Sequence, residues 1–251
     1  MPCRNCPEPK TCKAHIMPAA LGKDVIEASG KNLTLLAPDR TGTFQSGLFD
    51  PNILCARCDN TLGDYDGHAI NIIRLLGTVD EVIDRQAGIF SLSYSKGIDH
   101  ERLALFGAAV VWRASASAIC RGHNGFSLGN NEEWFRQMIF REIPELPIVS
   151  IARIMGRTPQ EQKMADTAML YPVRVRPNGS HISMAKFCLN GFMFLVQTTR
   201  NKTTIWSPGC VTELGKSAGV NYLTGALMPF ERLGGLEDIK KSKHMRKRFP
   251  H

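Results

Sequence analysis

The sequence has no apolar run long enough to cross a membrane. Its longest, such as 103–112, are interrupted or far short of the ~20 residues a spanning helix needs. The opening Met-Pro-Cys-Arg-Asn-Cys lacks the apolar centre of a secretion signal. There is no phosphate-binding glycine loop, serine nucleophile elbow or dinucleotide fingerprint. Internal repeats and low-complexity tracts are missing too. Charge is modest, at 22% of residues against 43% hydrophobic, a balance that suits a core-forming chain and argues against general disorder. These absences leave a globular protein, with a reducing cytoplasm as the expected setting and no membrane partner.

Acid is also absent from 239–251, where Lys240, Lys241, Lys243, Arg246, Lys247 and Arg248 cluster. Net charge is +8 and unevenly placed: residues 1–70 sum to −1, and the rest to +9. A basic body beside a near-neutral segment fits a polyanion partner, because Lys and Arg that neutralise phosphates release counterions. A solvated basic terminus is the plainer account of the tail.

The chain does have eight cysteines, and in a reducing compartment paired cysteines hold metal more often than disulfides. Four form two C-x2-C pairs, Cys3/Cys6 and Cys55/Cys58. Each pair sets two thiolates on a tight turn at tetrahedral spacing, and four such ligands close a structural Zn2+ site. Cys3, Cys6, Cys12 and His15 form a rival local set, which would leave the second pair idle. A redox dithiol needs a thioredoxin-like strand and helix around the motif, and that pattern is missing. Cys120, Cys188 and Cys210 read as small buried apolar residues.

The expected fold class is α+β. Residues 1–54 are rich in proline and predict short strands and loops. From Leu62 the apolar residues Tyr65, Ala69, Ile72, Ile73 and Leu76 recur at helical steps, with Gly77 as a stop. Loops and strands tied to a helix that begins at a C-x2-C is the layout of a treble-clef zinc finger, taken as residues 1–77. Residues 78–251 form a mixed α+β domain with antiparallel hairpins. There, 99–121 predicts one buried helix, and 131–142 a second with Trp134, Met138 and Ile139 inward. Strands are expected at 148–155, 169–176, 181–189 and 192–198, with Asn190-Gly191 turning the last two into a hairpin. Residues 203–206 would add a strand and 236–248 a closing helix.

Between the cysteine pairs lies His15-Ile16-Met17-Pro18-Ala19-Ala20-Leu21-Gly22, and the second pair continues Asp59-Asn60-Thr61-Leu62-Gly63. This arrangement resembles the HNH endonuclease superfamily, the ββα-metal nucleases, and looks closest to the branch seen in bacterial phage-defence and mobile-element proteins. The likeness covers residues 1 to about 70. It implies a nuclease cutting DNA, in which His15 is the general base that activates water against a phosphodiester. An imidazole near neutral pKa suits that task. It also implies a single catalytic Mg2+ or Mn2+, distinct from the zinc.

On the same resemblance Asn52 or Asn60 orients the base, and Asp66 is the last site residue. Asp59 and His68 are further cation ligands. Asp59 and Asp66 stand seven apart and share a helical face. Two positions depart from the family pattern: Ala14 precedes the base where an acid or histidine is common, and Asp59 follows the second pair where histidine or asparagine is common. The alternative is a non-catalytic, zinc-stabilised module that binds nucleic acid or protein. The second domain would sense a ligand, a protein partner or the nucleic acid itself.

Three other stretches read as structure. Gly122-His123-Asn124-Gly125 is expected to be a loop, and His100-Glu101 the polar start of a helix. Arg174 and Arg176 alternate with valines on what reads as an edge strand.

Overall fold

The computed structural model describes residues 2–29, 33–36, 41–44, 47–75, 81–86, 88–93, 97–176, 182–200 and 222–229. Gly77, Cys210, the start of the strand expected at His181, the strand expected at 203–206, the helix expected at 236–248 and the basic tail lie outside them.

A short strand β1 (Ala14–His15) pairs antiparallel with β4 (Phe49–Asp50), placing Ala14 opposite Asp50 and His15 opposite Phe49. Between them come helix α1 (Ala19–Ser29) and an antiparallel pair, β2 (Leu33–Leu36) with β3 (Thr41–Phe44). Helix α1 corrects the expectation of strands and loops alone. Pro18 sits just ahead of its first residue, where a fixed φ and missing N–H favour helix initiation. Leu21 and Val25, one turn apart, are buried. Prolines counted as breakers concealed a helix start.

Helix α2 (Ala56–Arg74) follows, with Cys55 as its N-cap and Cys58, Leu62, Tyr65, Ala69, Ile72 and Ile73 on its buried face. That stripe is the helical periodicity expected from Leu62 onward.

Next come β5 (Glu81–Asp84), β6 (Ile89–Ser93) and α3 (His100–Ala116), whose every residue from Leu103 to Ala116 is buried. Asp99 caps α3 by accepting from the Arg102 N–H. The single helix expected over 99–121 breaks at Ser117, where the backbone turns extended (φ −77, ψ 121). The Ser117 hydroxyl then caps a new helix, α4 (Ala118–Asn124), by accepting from the Cys120 N–H at 3.0 Å. Gly122 to Asn124 therefore end a helix rather than form a loop, and Gly125 alone makes the left-handed turn (φ 66).

Helix α5 (Glu132–Ile139) buries Phe135, Met138 and Ile139. Trp134 stands at the rim instead, its indole N–H donating to Glu145 at 2.7 Å. At the rim the indole nitrogen finds the acceptor it needs.

The remaining elements are β7 (Val149–Met155), α6 (Pro159–Asp166), β8 (Met169–Val175), β9 (Met184–Leu189), β10 (Phe192–Gln197) and β11 (Tyr222–Pro229). A seven-stranded sheet runs in the order β5-β6-β11-β7-β10-β9-β8. All neighbours are antiparallel except β11 and β7, which run parallel. The fold is α+β, as expected. Asn190 (φ 44) and Gly191 (φ 85) make the tight turn between β9 and β10. Strand β8 is an edge strand, with Val173 exposed.

Helix α3 lies against the sheet. A Cβ on Gly107 would sit 3.2 Å from Val149 Cγ1, so α3 crosses β7 closely and a side chain there would press on Val149. The Phe106 ring packs edge-on to Phe194 (centroids 5.5 Å) and Phe187 (6.3 Å). One buried cluster runs from Cys3, Ile16 and Leu62 through Trp112 to Phe187 and Phe194. The cysteine-bearing segment and the sheet thus share a core. Each large side chain so enclosed contributes about 1.5–3 kcal/mol of burial energy.

Candidate metal centre

The two cysteine turns meet through backbone contacts set by their local sequence. The Arg4 N–H donates to the Ile53 carbonyl and the Cys12 N–H to the Leu54 carbonyl, which binds the first turn to the segment leading into Cys55. The Sγ atoms of Cys3, Cys6, Cys55 and Cys58 all lie within 4.8 Å of one another. Cys6 stands 3.7 Å from both Cys55 and Cys58. A tetrahedral ZnS4 site with bonds of about 2.3 Å sets its sulfurs about 3.8 Å apart, so the four residues fit the ion. Of the rival set, Cys12 and His15 fall outside this cluster.

Electrostatics also favour a cation. A hydrogen bond involving the Glu8 backbone is the main cause lowering the Cys6 thiol to about 7, toward the thiolate that zinc requires. Burial pushes the Cys58 thiol up to about 12, and the neighbouring sulfurs add to the rise. Four sulfurs this close can all ionise only around a cation, which inverts that sign.

The tetrad has an outer shell. The Asn5 side-chain amide donates to Cys58 Sγ at 3.3 Å, and its Oδ1 accepts from Arg136 at 2.7 Å. Arg136 is itself held by Glu133 and Glu142. Helix α5 therefore touches the metal centre through one asparagine.

His15 follows directly in the strand pair that this knuckle anchors. It is half-buried beside Phe49, with ring centroids 5.8 Å apart. Burial lowers its pKa, the Arg113 and Lys23 charges lower it further, and Asp66 opposes them. The imidazole is thus neutral at pH 7, the form a general base needs.

On α2, Asp59 and Asp66 stand two turns apart, and both interact electrostatically with Arg113. Asp66 is fully engaged: Arg113 Nη1 donates to its Oδ2 at 2.8 Å and Nη2 to its Oδ1 at 2.6 Å. The guanidinium is only 2% exposed. Burial raises the pKa of half-buried Asp59, and Arg113 offsets that in part.

The structure brings His15, Asp59 and Asp66 into one electrostatic neighbourhood around Arg113. The other candidates lie elsewhere. Asn60 is exposed on α2, and Asn52 is exposed in the turn after β4. His68 Nε2 accepts from the Asp99 N–H at 3.1 Å, so it fastens α2 to the start of α3, and burial lowers its pKa.

Two residues carry no chemistry that the sequence alone assigns. Arg113 sits within an apolar helix stripe and meets Asp66 only through the packing of α3 on α2. Asp50 is buried, accepting from the Ser117 hydroxyl at 2.8 Å and from the Asn52 N–H at 2.9 Å. The second contact is an Asx turn, and Asp50-Pro51-Asn52 was the signal that could have shown it.

Among the described residues, the cysteine tetrad is the one group of three or more metal-ligating side chains drawn together. The residues around His15 do not fit a second ion as they stand, since both Asp66 oxygens face a buried guanidinium. No described helix is long and apolar enough to cross a membrane. Compared with protein-family models, curated proteins and solved structures, the chain matches none.

Proposed function

We propose that the chain is a zinc-stabilised phosphodiester hydrolase of the HNH type, acting on DNA. The observation that carries this reading is a half-buried His15, its pKa lowered by burial, on a strand pinned beside a four-cysteine centre and within range of Arg113 of α3 and Asp66 of α2. In the reaction His15 takes a proton from water as the oxygen bonds to phosphorus. The bond from phosphorus to the ester oxygen breaks, and that oxygen takes a proton from solvent. The net positive charge of residues 71–251 supports a polyanionic substrate. The resemblance also implies a catalytic Mg2+ or Mn2+, which the residues around His15 do not fit as they stand. A phage-defence or mobile-element setting rests on the resemblance alone.

A second reading, a non-catalytic module that binds nucleic acid or protein, is favoured by the closed Asp66–Arg113 pair, which occupies the acid expected to complete the site. Plasmid cleavage by zinc-loaded wild type and His15→Ala, each with and without Mg2+ or Mn2+, separates the two. The hydrolase reading expects cleavage that His15→Ala abolishes. Cleavage indifferent to His15 would overturn the role given to that residue, and none under any condition would leave the binding module.

A further inference from the structure

We propose that Arg113 is the resident cation of the His15 site and excludes a second divalent ion from it. The proposal deepens the hydrolase reading and rests on it for its catalytic meaning, but its test does not.

Three features carry it. First, the fork-to-fork pairing engages both Asp66 oxygens, so a metal at this carboxylate would have to compete with a charge-assisted pair for its electron density. Second, the guanidinium cannot leave by rotating into water. It is 2% exposed on a helix buried from Leu103 to Ala116, and swinging out would open that packing. Third, an arginine in a protein does not deprotonate, so its charge is permanent. Asp59 and His15, the other two groups that would hold an ion, both lie within range of that charge. Arg113 cancels one of the two carboxylate charges, so an arriving dication meets a weaker attraction than a metal-dependent site would offer. In the hydrolase reading, this buried side chain is the fixed positive charge of the site, and turnover needs no added Mg2+. Arg113 is a positioning and electrostatic residue.

The experiment is a Mn2+ titration of the zinc-loaded full chain, with free Mn2+ read by electron paramagnetic resonance. The cysteine tetrad retains zinc, since manganese is the weaker competitor for thiolates. Wild type is expected to take up no stoichiometric Mn2+. Arg113→Met, checked for folding by near-ultraviolet circular dichroism, is expected to bind one Mn2+ at least about tenfold more tightly than wild type, the direction that removing a like charge dictates. Adding Asp66→Asn is expected to abolish that uptake.

Stoichiometric Mn2+ uptake by wild type that Asp66→Asn removes would overturn the proposal, and this arm does not depend on whether Arg113→Met folds. Folded Arg113→Met that takes up no Mn2+ would overturn it as well. Failure of the hydrolase reading shows instead as His15-independent or absent cleavage, which the titration does not measure.

Discussion

Arg136 donates to Asn5 Oδ1 at 2.7 Å, and Asn5 in turn donates to the sulfur of Cys58, so a helix residue 131 positions along the chain helps to set the metal centre. Outer-shell partners of this kind orient ligands and stabilise thiolates. Asn5→Ala and Arg136→Ala are each expected to weaken zinc binding by about 10–100-fold. Competition with a chromophoric chelator, supported by the absorption bands of the cobalt-substituted protein, measures the change.

Zinc retention separates the two halves of the site. Cys55→Ser or Cys58→Ser is expected to lose the ion and unfold the segment around it, since structural zinc supplies folding energy directly. His15→Ala is expected to keep one zinc per chain and a cooperative melt. Metal analysis after gel filtration, with thermal unfolding, reads both. Loss of zinc from His15→Ala would show the ligand assignment to be wrong.

Much of this was legible in the sequence, where chemistry is local. Two C-x2-C pairs predict the tetrad because each pair makes its own turn. Asn190-Gly191 predicts its hairpin because both residues accept positive φ. The residues that decide the histidine site were not legible. Arg113 meets Asp66 from 47 positions away, and Ser117 meets Asp50 from 67. Inside an apolar helix, an arginine carries no local sign of its partner. Trp134, expected inward, stands at the rim while Phe135 is buried, for a related reason: periodicity ranks apolar size, but the fold supplies the acceptor for the indole.

The Asp66–Arg113 pair is expected to be asymmetric in its energetics. Arg113→Met alone leaves a largely buried carboxylate without its partner and should cost about 3–5 kcal/mol, whereas Arg113→Met with Asp66→Leu should recover most of that loss. Urea unfolding of the zinc-loaded proteins tests this. Equal destabilisation in the single and double variants would mean that packing rather than charge sets the penalty.

Stability should fall as pH drops below about 6.5, the ordinary histidine value. Burial lowers the folded-state pKa of both His15 and His68. Above 6.5 both are neutral in either state. As pH falls through that value the unfolded chain binds protons that the folded chain refuses, so stability declines until the lowered folded values are reached. The charges facing His15 are Arg113, Lys23 and Asp66, and those facing His68 are Asp99, Arg102 and Asp64. Each histidine contributes at most about 1.4 kcal/mol per pH unit. His68→Gln, which retains an acceptor for the Asp99 N–H, should flatten the slope between pH 6.5 and 5.5. An unchanged slope would remove His68 from the account.

Strand β11 gives the chain an order of assembly. It lies between β6 and β7, yet it is the last of the described strands along the chain. During synthesis the β5-β6 pair and the β7–β10 group can form early, each with one bare strand edge facing the other. Those edges stay open until residues 222–229 have left the ribosome, a state in which neighbouring nascent chains can cross-pair. A chain cut before Tyr222 would keep its cysteines and its histidine but would leave the ribosome as two half-sheets, without the strand that hydrogen-bonds one to the other.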